Sequence, residues 1–303
     1  MCDYAIEMNG VHKSYGKQKV LKDMSLHVPR GSIYAFLGRN GEGKSTSIRL
    51  MMNLLSPESG TVAILGKDSV KETEYIKSRV GYVPESPHIY DWMPVDALIA
   101  FTSRFYPDWD HDRASRLKQS LGIDGSKKVQ ELSLGTKAKV ELLLALAHNP
   151  EILILDDCTS GLDALVRREF QEHIVSLVED GRHTIFFSSH IITELERVAD
   201  MVGLLRNGSL AFEMPLDELK GKVKKVFISL EEEVSDEALA PFSSSVLRVA
   251  REKNDLTIYT RDSHDGLLAL LKGLKHKALD VQDMELEDIF VEYTREQGTA
   301  GLA

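Results

Sequence analysis

Short, wholly apolar runs alternate along this chain with longer stretches whose apolar positions recur at helical spacing. Met24 to Val28 alternates into a turn at Pro29-Arg30-Gly31, and Ser32 to Leu37 follows as a short apolar strand. From Lys44 to Leu55 the residues Ile48, Met51, Met52 and Leu55 share one helical face, and Ser56-Pro57-Glu58-Ser59-Gly60 stops that helix. Between about Pro84 and Pro150 the texture is mostly helical. Asp96 to Phe105, Asp110 to Leu121 and Ser133 to His148 are amphipathic, with Gly122 ending the middle one. Ile152 to Leu155 and Thr184 to Phe187 then read as strands buried on both faces of a parallel sheet, with Asp163 to Leu177 as the crossover helix between them. Met201 to Leu205, Asn207-Gly208 and Leu210 to Phe212 predict a hairpin, because Asn-Gly suits a tight two-residue turn.

The lysine-rich stretch Lys220 to Lys225 is the expected domain boundary, giving an α/β domain over 1–220 and a small α+β domain over 221–303. Beyond it come a strand (Val226 to Leu230), a helix (Asp236 to Phe242) and two strands (Val246 to Ala250 and Leu256 to Thr260). A helix (Asp265 to Leu274) and a strand (Leu279 to Gln282) complete the order βαββαβ, the ferredoxin-like pattern. Leu286 to Thr294 is a final helix, and the acidic run Glu231-Glu232-Glu233 reads as a solvated turn.

Composition narrows the function. Of 303 residues, 43% are apolar and 28% charged, as in an ordinary globular protein. With 37 basic residues against 47 acidic ones the net charge is −10, which argues against a broad nucleic-acid surface. It leaves room for a local anion site. Cys2 and Cys158, the only cysteines, suit neither a disulfide framework nor a zinc site, so a reducing compartment is expected. Met1-Cys2-Asp3-Tyr4 has no secretory-signal character. No apolar run approaches the roughly 18 residues that span a bilayer.

The sharpest chemical signal is Gly38-Arg39-Asn40-Gly41-Glu42-Gly43-Lys44-Ser45-Thr46, which fits the G-x-x-x-x-G-K-[ST] phosphate loop. The glycines let backbone amides approach phosphate oxygens at a helix N-terminus. Lys44 would bridge the outer phosphates of ATP, and Ser45 would ligate Mg²⁺. Ile152-Leu153-Ile154-Leu155-Asp156-Asp157 describes a buried strand delivering two acids to a sheet edge. Asp156 fits the Mg²⁺-organising acid. Asp157 is placed to orient or deprotonate the attacking water.

On these residues and four further segments the chain resembles the nucleotide-binding subunits of ABC transporters, over residues 3 to about 220. Lys13-Ser14-Tyr15-Gly16 is similar to the segment whose aromatic residue, here Tyr15, stacks on adenine. Leu132-Ser133-Leu134-Gly135-Thr136 resembles the signature loop L-S-G-G-Q, which implies that Ser133 and the Gly135 amide clasp a γ-phosphate held by a second subunit. Ser160-Gly161-Leu162-Asp163 resembles the D-loop, and Ser188-Ser189-His190 places His190 at the switch histidine. The resemblance implies a P-loop NTPase core of the ABC type with a helical subdomain at about 86–150. It also implies transport-coupled hydrolysis of Mg-ATP, a membrane-spanning permease on a separate chain, and a peripheral place on the cytoplasmic face of the membrane. The segment Ser86 to Pro94, with Ile89, Tyr90, Trp92 and Met93, falls where that family receives its membrane partner. The ending Leu286-Glu287-Asp288-Ile289-Phe290 resembles exporter-type ATPases.

Four departures modify the expectation. Asp157 stands where the family has Glu and is shorter by about 1.5 Å; because 1 Å of misplacement costs on the order of 10² in rate, hydrolysis should be slow. Glu85, in Gly81-Tyr82-Val83-Pro84-Glu85, replaces the family's Gln as a candidate for metal and attacking water. Leu134 and Thr136 replace Gly and Gln in the signature loop, and Glu42 replaces a small residue in the phosphate loop, where its carboxylate must point away from the nucleotide. A homodimer and a heterodimer with another ABC ATPase both fit. So do two alternatives to transport: a soluble ABC-type ATPase, and a weakly hydrolysing nucleotide-gated switch.

Overall fold

The structure, a computed structural model, describes residues 4–86, 89–178, 183–232, 240–261 and 265–295. It comprises two compact units, Met1–Glu213 and Met214–Ala303.

The first unit is built on two sheets. Strands β1 (Tyr4–Tyr15) and β2 (Gln18–Pro29) form a long antiparallel hairpin. It is extended by β4 (Ser59–Ile64) and β5 (Lys67–Asp68) in the order β2-β1-β4-β5. Met24 to Val28 is thus the latter part of a longer strand. Its partner β1 is hard to see in the sequence, because Gly10 takes φ 58° and register shifts on both sides of Val11 break the alternation. The second sheet contains β3 (Ile33–Leu37), β6 (Val80–Val83), β7 (Ile152–Asp156), β8 (Thr184–Ser188), β9 (Met201–Arg206) and β10 (Ser209–Pro215), ordered β10-β9-β3-β8-β7-β6. From β9 to β6 every neighbouring pair is parallel. All residues of β3, β7 and β8 are buried, which explains the apolar runs Ile33 to Leu37, Ile152 to Leu155 and Ile185 to Phe187. The hairpin turn Asn207-Gly208 takes φ 53° and 86°, the doubly left-handed geometry that Asn-Gly favours.

One core joins the two sheets: Met8 and Leu26 from the first, Phe36, Ile154 and Phe186 from the second. Phe186 stacks on Tyr34 with centroids 5.5 Å apart. The fully buried Tyr34 hydroxyl donates to Glu213 Oε1 at 2.7 Å, and that carboxylate also accepts from the His27 amide at 2.8 Å. A buried hydroxyl left unpaired would cost about 1–3 kcal/mol, so Glu213 pins the antiparallel sheet to the parallel one.

Helices Val95–Thr102, His111–Ser120 and Leu134–Leu146 occupy the helical stretch. Asp110 caps the second by accepting from the Arg113 amide at 2.8 Å, and Gly122, at φ 65°, follows its end. The helix after the glycine loop is shorter than its apolar stripe predicts, Lys44–Met51, and Ser59-Gly60 already belong to β4.

The lysine-rich stretch lies just past the division between the units, within a helix and the strand after it. Helix Leu216–Lys222 buries Leu216 and Leu219 and carries Lys220 and Lys222 in its last turn, where cations complement the helix dipole. In the second unit β11 (Lys224–Leu230), β12 (Val246–Glu252), β13 (Asp255–Thr260) and β14 (His276–Asp283) form an antiparallel sheet in the order β12-β13-β11-β14. This is the split βαβ arrangement. Helix Asp265–Gly273 packs Leu267 and Leu271 onto Val226, Ile228, Leu256 and Ile258. Most of the expected helix Asp236 to Phe242 lies outside the described residues, as do Glu233, Cys2, Pro87 and His88; Ala240–Ser245 form a 3₁₀ turn. The last helix, Leu286–Thr294, buries Leu286, Ile289 and Tyr293. Glu292 on it accepts a two-pronged bond from Arg248 at 2.8 and 2.9 Å.

Candidate active site

Because β3, β8 and β7 are parallel neighbours, the loops leaving their carboxyl ends meet at one edge of the sheet, where open α/β sheets bind ligands. Gly38 to Gly43 leaves β3 and turns into helix Lys44–Met51. Gly43 takes φ 113°, and a Cβ there would stand 2.8 Å from Leu21 Cδ2 and 3.0 Å from Val20 Cγ1, so only glycine fits. Arg39, Asn40 and Gly41 are exposed at the tip; Thr46 is half-buried on the helix. The Lys44 ammonium donates to the carbonyls of Gly38 at 2.6 Å and Arg39 at 3.2 Å, which lays it across the loop's mouth. Burial pushes Lys44 down; the charges of Asp157, Asp156, Glu42 and Glu85 oppose the shift. Glu42 turns away from the loop's interior, its Oε2 accepting from the backbone amide of Asn207.

Asp156 ends β7, almost wholly buried, and accepts from Ser45 Oγ at 3.4 Å. Burial pushes its carboxyl up to about 6, the Ser45 bond opposes, and the charges of Glu85 and Asp157 add to the rise. Glu85, exposed just after β6, is therefore within electrostatic reach of both Asp156 and Lys44. Asp157 has a left-handed backbone, φ 49°, and its amide donates to the Ser188 carbonyl at 2.7 Å. His190 Nδ1 donates to both Asp157 oxygens, at 2.7 and 2.9 Å. That contact, between residues brought together only by the β7-β8 pairing, is not written in either motif.

The remaining expected residues lie in other places. Tyr15 ends β1 with 46% of its surface exposed, so its ring is free to stack on a planar ligand. The strand leading from its hairpin supplies Val20 and Leu21, which press on Gly43. Ser133 caps helix Leu134–Leu146, accepting from the Thr136 amide at 3.2 Å. A Cβ at Gly135 would meet Val166, and the exposed Leu134 side chain stands 3.2 Å from a Cβ position at Gly161. These neighbours of the Ser133–Gly135 loop belong to the 161–166 segment of the same chain and not to its phosphate loop.

Three functional candidates escape sequence reasoning: Thr159, Arg167 and Glu194. The ion pair of Arg167 Nε with Glu194 Oε1 spans 2.8 Å, and Thr159 Oγ1 donates to Glu194 Oε2 at 3.2 Å. No motif flags them; a charged residue at a buried helical position is the only trace. Elsewhere Tyr90, Trp92 and Phe105 expose 51%, 64% and 67% of their surface. Rings link Trp92 to Tyr90, Tyr90 to Phe101 and Phe101 to Phe105 at centroid distances of 6.1, 5.5 and 5.2 Å, while Ile89 and Met93 are half-buried. No helix among the described residues is long and apolar enough to cross a membrane.

Comparisons with known proteins identify the family. Residues 21–160 match the family model described as ABC transporter. The ABC transporter ATP-binding protein YtrB of Bacillus subtilis (strain 168) is 30% identical over 286 residues, covering 94% of this chain and 97% of its own. The bacitracin transport ATP-binding protein BcrA of Bacillus licheniformis is 35% identical over 290 residues, with 95% and 89% covered. A solved structure of an ATP binding subunit of an ABC transporter superposes with a TM-score of 0.66 at 26% identity, over 72% of this chain and 92% of that one.

Proposed function

This chain belongs to the family of ABC transporter ATP-binding subunits, and from that membership we propose that it hydrolyses Mg-ATP at an interface between two such chains. Hydrolysis there drives export by a membrane-spanning subunit on a separate polypeptide. The observation that carries the proposal is the convergence on one sheet edge of the Lys44-bearing loop, the buried Asp156 and the Asp157–His190 pair.

Each residue has work suited to its surroundings. Loop amides and Lys44 hold the phosphates, and Tyr15 stacks on the base. Ser45 Oγ and the Asp156 carboxylate, 3.4 Å apart, are hard oxygen donors side by side. That pair, with Glu85 nearby, fits Mg²⁺, which when bound neutralises charge on the transferred phosphoryl group. A buried acid held up to about 6 by its own desolvation is stabilised by a cation. Asp157 would orient the attacking water, and His190, whose Nδ1 is held by Asp157, would offer Nε2 to the γ-phosphate. The Ser133–Gly135 loop packs against the 161–166 segment, and in this reading it serves the phosphates of an opposing chain, the pair being homodimeric in the simplest case. Glu42, turned to Asn207, leaves the phosphate path clear.

Three observations support membrane coupling and direction. The exposed rings of Tyr90, Trp92 and Phe105 form an apolar docking patch. The Leu286–Phe290 segment resembles that of exporter-type ATPases. A relative covering nearly its whole length is named for bacitracin transport. These observations support a peripheral position on the cytoplasmic face of the membrane. Phosphate release by the purified chain with and without Mg²⁺ tests the enzyme; loss of ATP binding in Lys44→Ala is expected, and retained affinity overturns the assignment. Co-purification from native membranes tests the permease: a membrane-spanning partner supports transport, and recovery only in the soluble fraction refutes it.

A further inference from the structure

We propose that Glu194 is a positioning residue for hydrolysis, clamping the loop 159–163 to the segment that carries His190; this rests on the ATPase reading above. Glu194 is 6% exposed and lies on the helical turn Ile192–Leu195, just after His190. Its two oxygens serve opposite ends of one loop. Oε2 accepts from Thr159 Oγ1 at 3.2 Å, where the loop begins, and Thr159 is fully buried. Oε1 pairs with Arg167 Nε at 2.8 Å, and the same guanidinium donates from a second nitrogen to the Leu162 carbonyl at 2.8 Å, where the loop ends. The guanidinium thus meets Oε1 as an ion pair, without a hydrogen bond between Nε and Oε1, while its second nitrogen hydrogen-bonds the Leu162 carbonyl.

The loop so clamped is consequential at both ends. Two residues before Thr159 lies Asp157, whose carboxylate takes both bonds from His190 Nδ1. Beyond Thr159, Gly161 lies against Leu134, and Val166 against Gly135. Asp163 caps the following helix by accepting from the amides of Leu165 and Val166 at 3.1 and 3.0 Å. One buried carboxylate therefore fixes the Asp157–His190 pair and the backing of the Ser133–Gly135 loop in a single frame. A misplacement of about 1 Å in such a frame costs on the order of 10² in rate, while the phosphate loop, tied elsewhere, keeps its hold on nucleotide.

The test compares the purified full chain with three variants, measuring steady-state phosphate release in Mg-ATP, equilibrium ATP binding and thermal unfolding. Glu194→Gln keeps the volume and removes the charge; kcat is expected to fall about tenfold or more with KM and ATP affinity within about twofold. Thr159→Val removes one hydroxyl from an otherwise unchanged shape and is expected to lower kcat about threefold to tenfold, so the idea remains exposed even where Glu194→Gln does not fold. The double variant Glu194→Met with Arg167→Met replaces a buried ion pair by apolar side chains, an exchange that stability often tolerates. It is expected to fold and still turn over slowly. A folded double variant with wild-type kcat, or a loss confined to KM, overturns the positioning role. Absence of phosphate release from the unaltered chain sinks the ATPase reading itself, a separate outcome.

Discussion

At the scale of single residues, the site shows why hydrolysis should be slow. The Asp157 carboxylate is occupied by His190 at 2.7 and 2.9 Å, and its left-handed backbone is one that Asp tolerates better than longer side chains. Extending it by a methylene would let the carboxylate reach past the imidazole toward the attacking water. Asp157→Glu is therefore expected to raise kcat by about 10-fold to 10²-fold while lowering the melting temperature slightly; unchanged turnover in a phosphate-release assay would count against this account. The phosphate loop was fully legible beforehand, because its backbone demands map directly onto residue types: Gly where a Cβ would strike Leu21, Lys where charge must cross the mouth. The outward turn of Glu42 was expected only as a requirement; the Asn207 amide that receives it lies in a hairpin distant in sequence. The Asp157–His190 and Glu194–Arg167 contacts were illegible for the same reason, since pairings across strands and loops leave no local pattern.

At the scale of elements, apolar runs and capped helices were readable and irregular strands were not. The five buried residues of β7 declare themselves, whereas the bulges around Val11 hide β1. Lys220 and Lys222, in the stretch expected as a domain boundary, sit in the favourable last turn of a helix. Strand β9 carries a glycine whose purpose no sequence pattern states. A Cβ at Gly203 would run into the Tyr34 hydroxyl, which is fully buried, stacked on Phe186 and bonded to Glu213. It has nowhere to retreat. Gly203→Ala should accordingly cost about 1–3 kcal/mol, seen as a lower urea midpoint with an unchanged m-value. Midpoints equal to those of the unaltered chain would show that the β9-β3 packing yields more easily than these contacts imply.

At the scale of the whole molecule, two buried groups pull stability in opposite directions on mild acidification: Asp156, held up to about 6, gains as pH falls through that value, and His148 loses. His148 is buried against Tyr106, ring centroids 4.1 Å apart, and burial pushes it down from 6.5 to about 4. Its folded pKa is below its unfolded one, so the unfolded chain takes up a proton first. The stabilising contribution is complete above pH 6.5 and disappears as pH falls toward 4, a loss of about 2–3 kcal/mol. Urea titrations of the unaltered chain and of His148→Phe between those limits test this; equal slopes for the two would contradict it. The packing of the Ser133–Gly135 loop on the 161–166 segment, with the service to an opposing chain proposed for it, has a genetic consequence. If each chain brings half of two composite centres, a subunit lacking Lys44 and a subunit lacking Ser133 are inactive alone, yet mixing them reconstitutes one intact centre per mixed pair. Restored turnover from two dead preparations, growing with the concentration of both, is the signature of labour divided between neighbours.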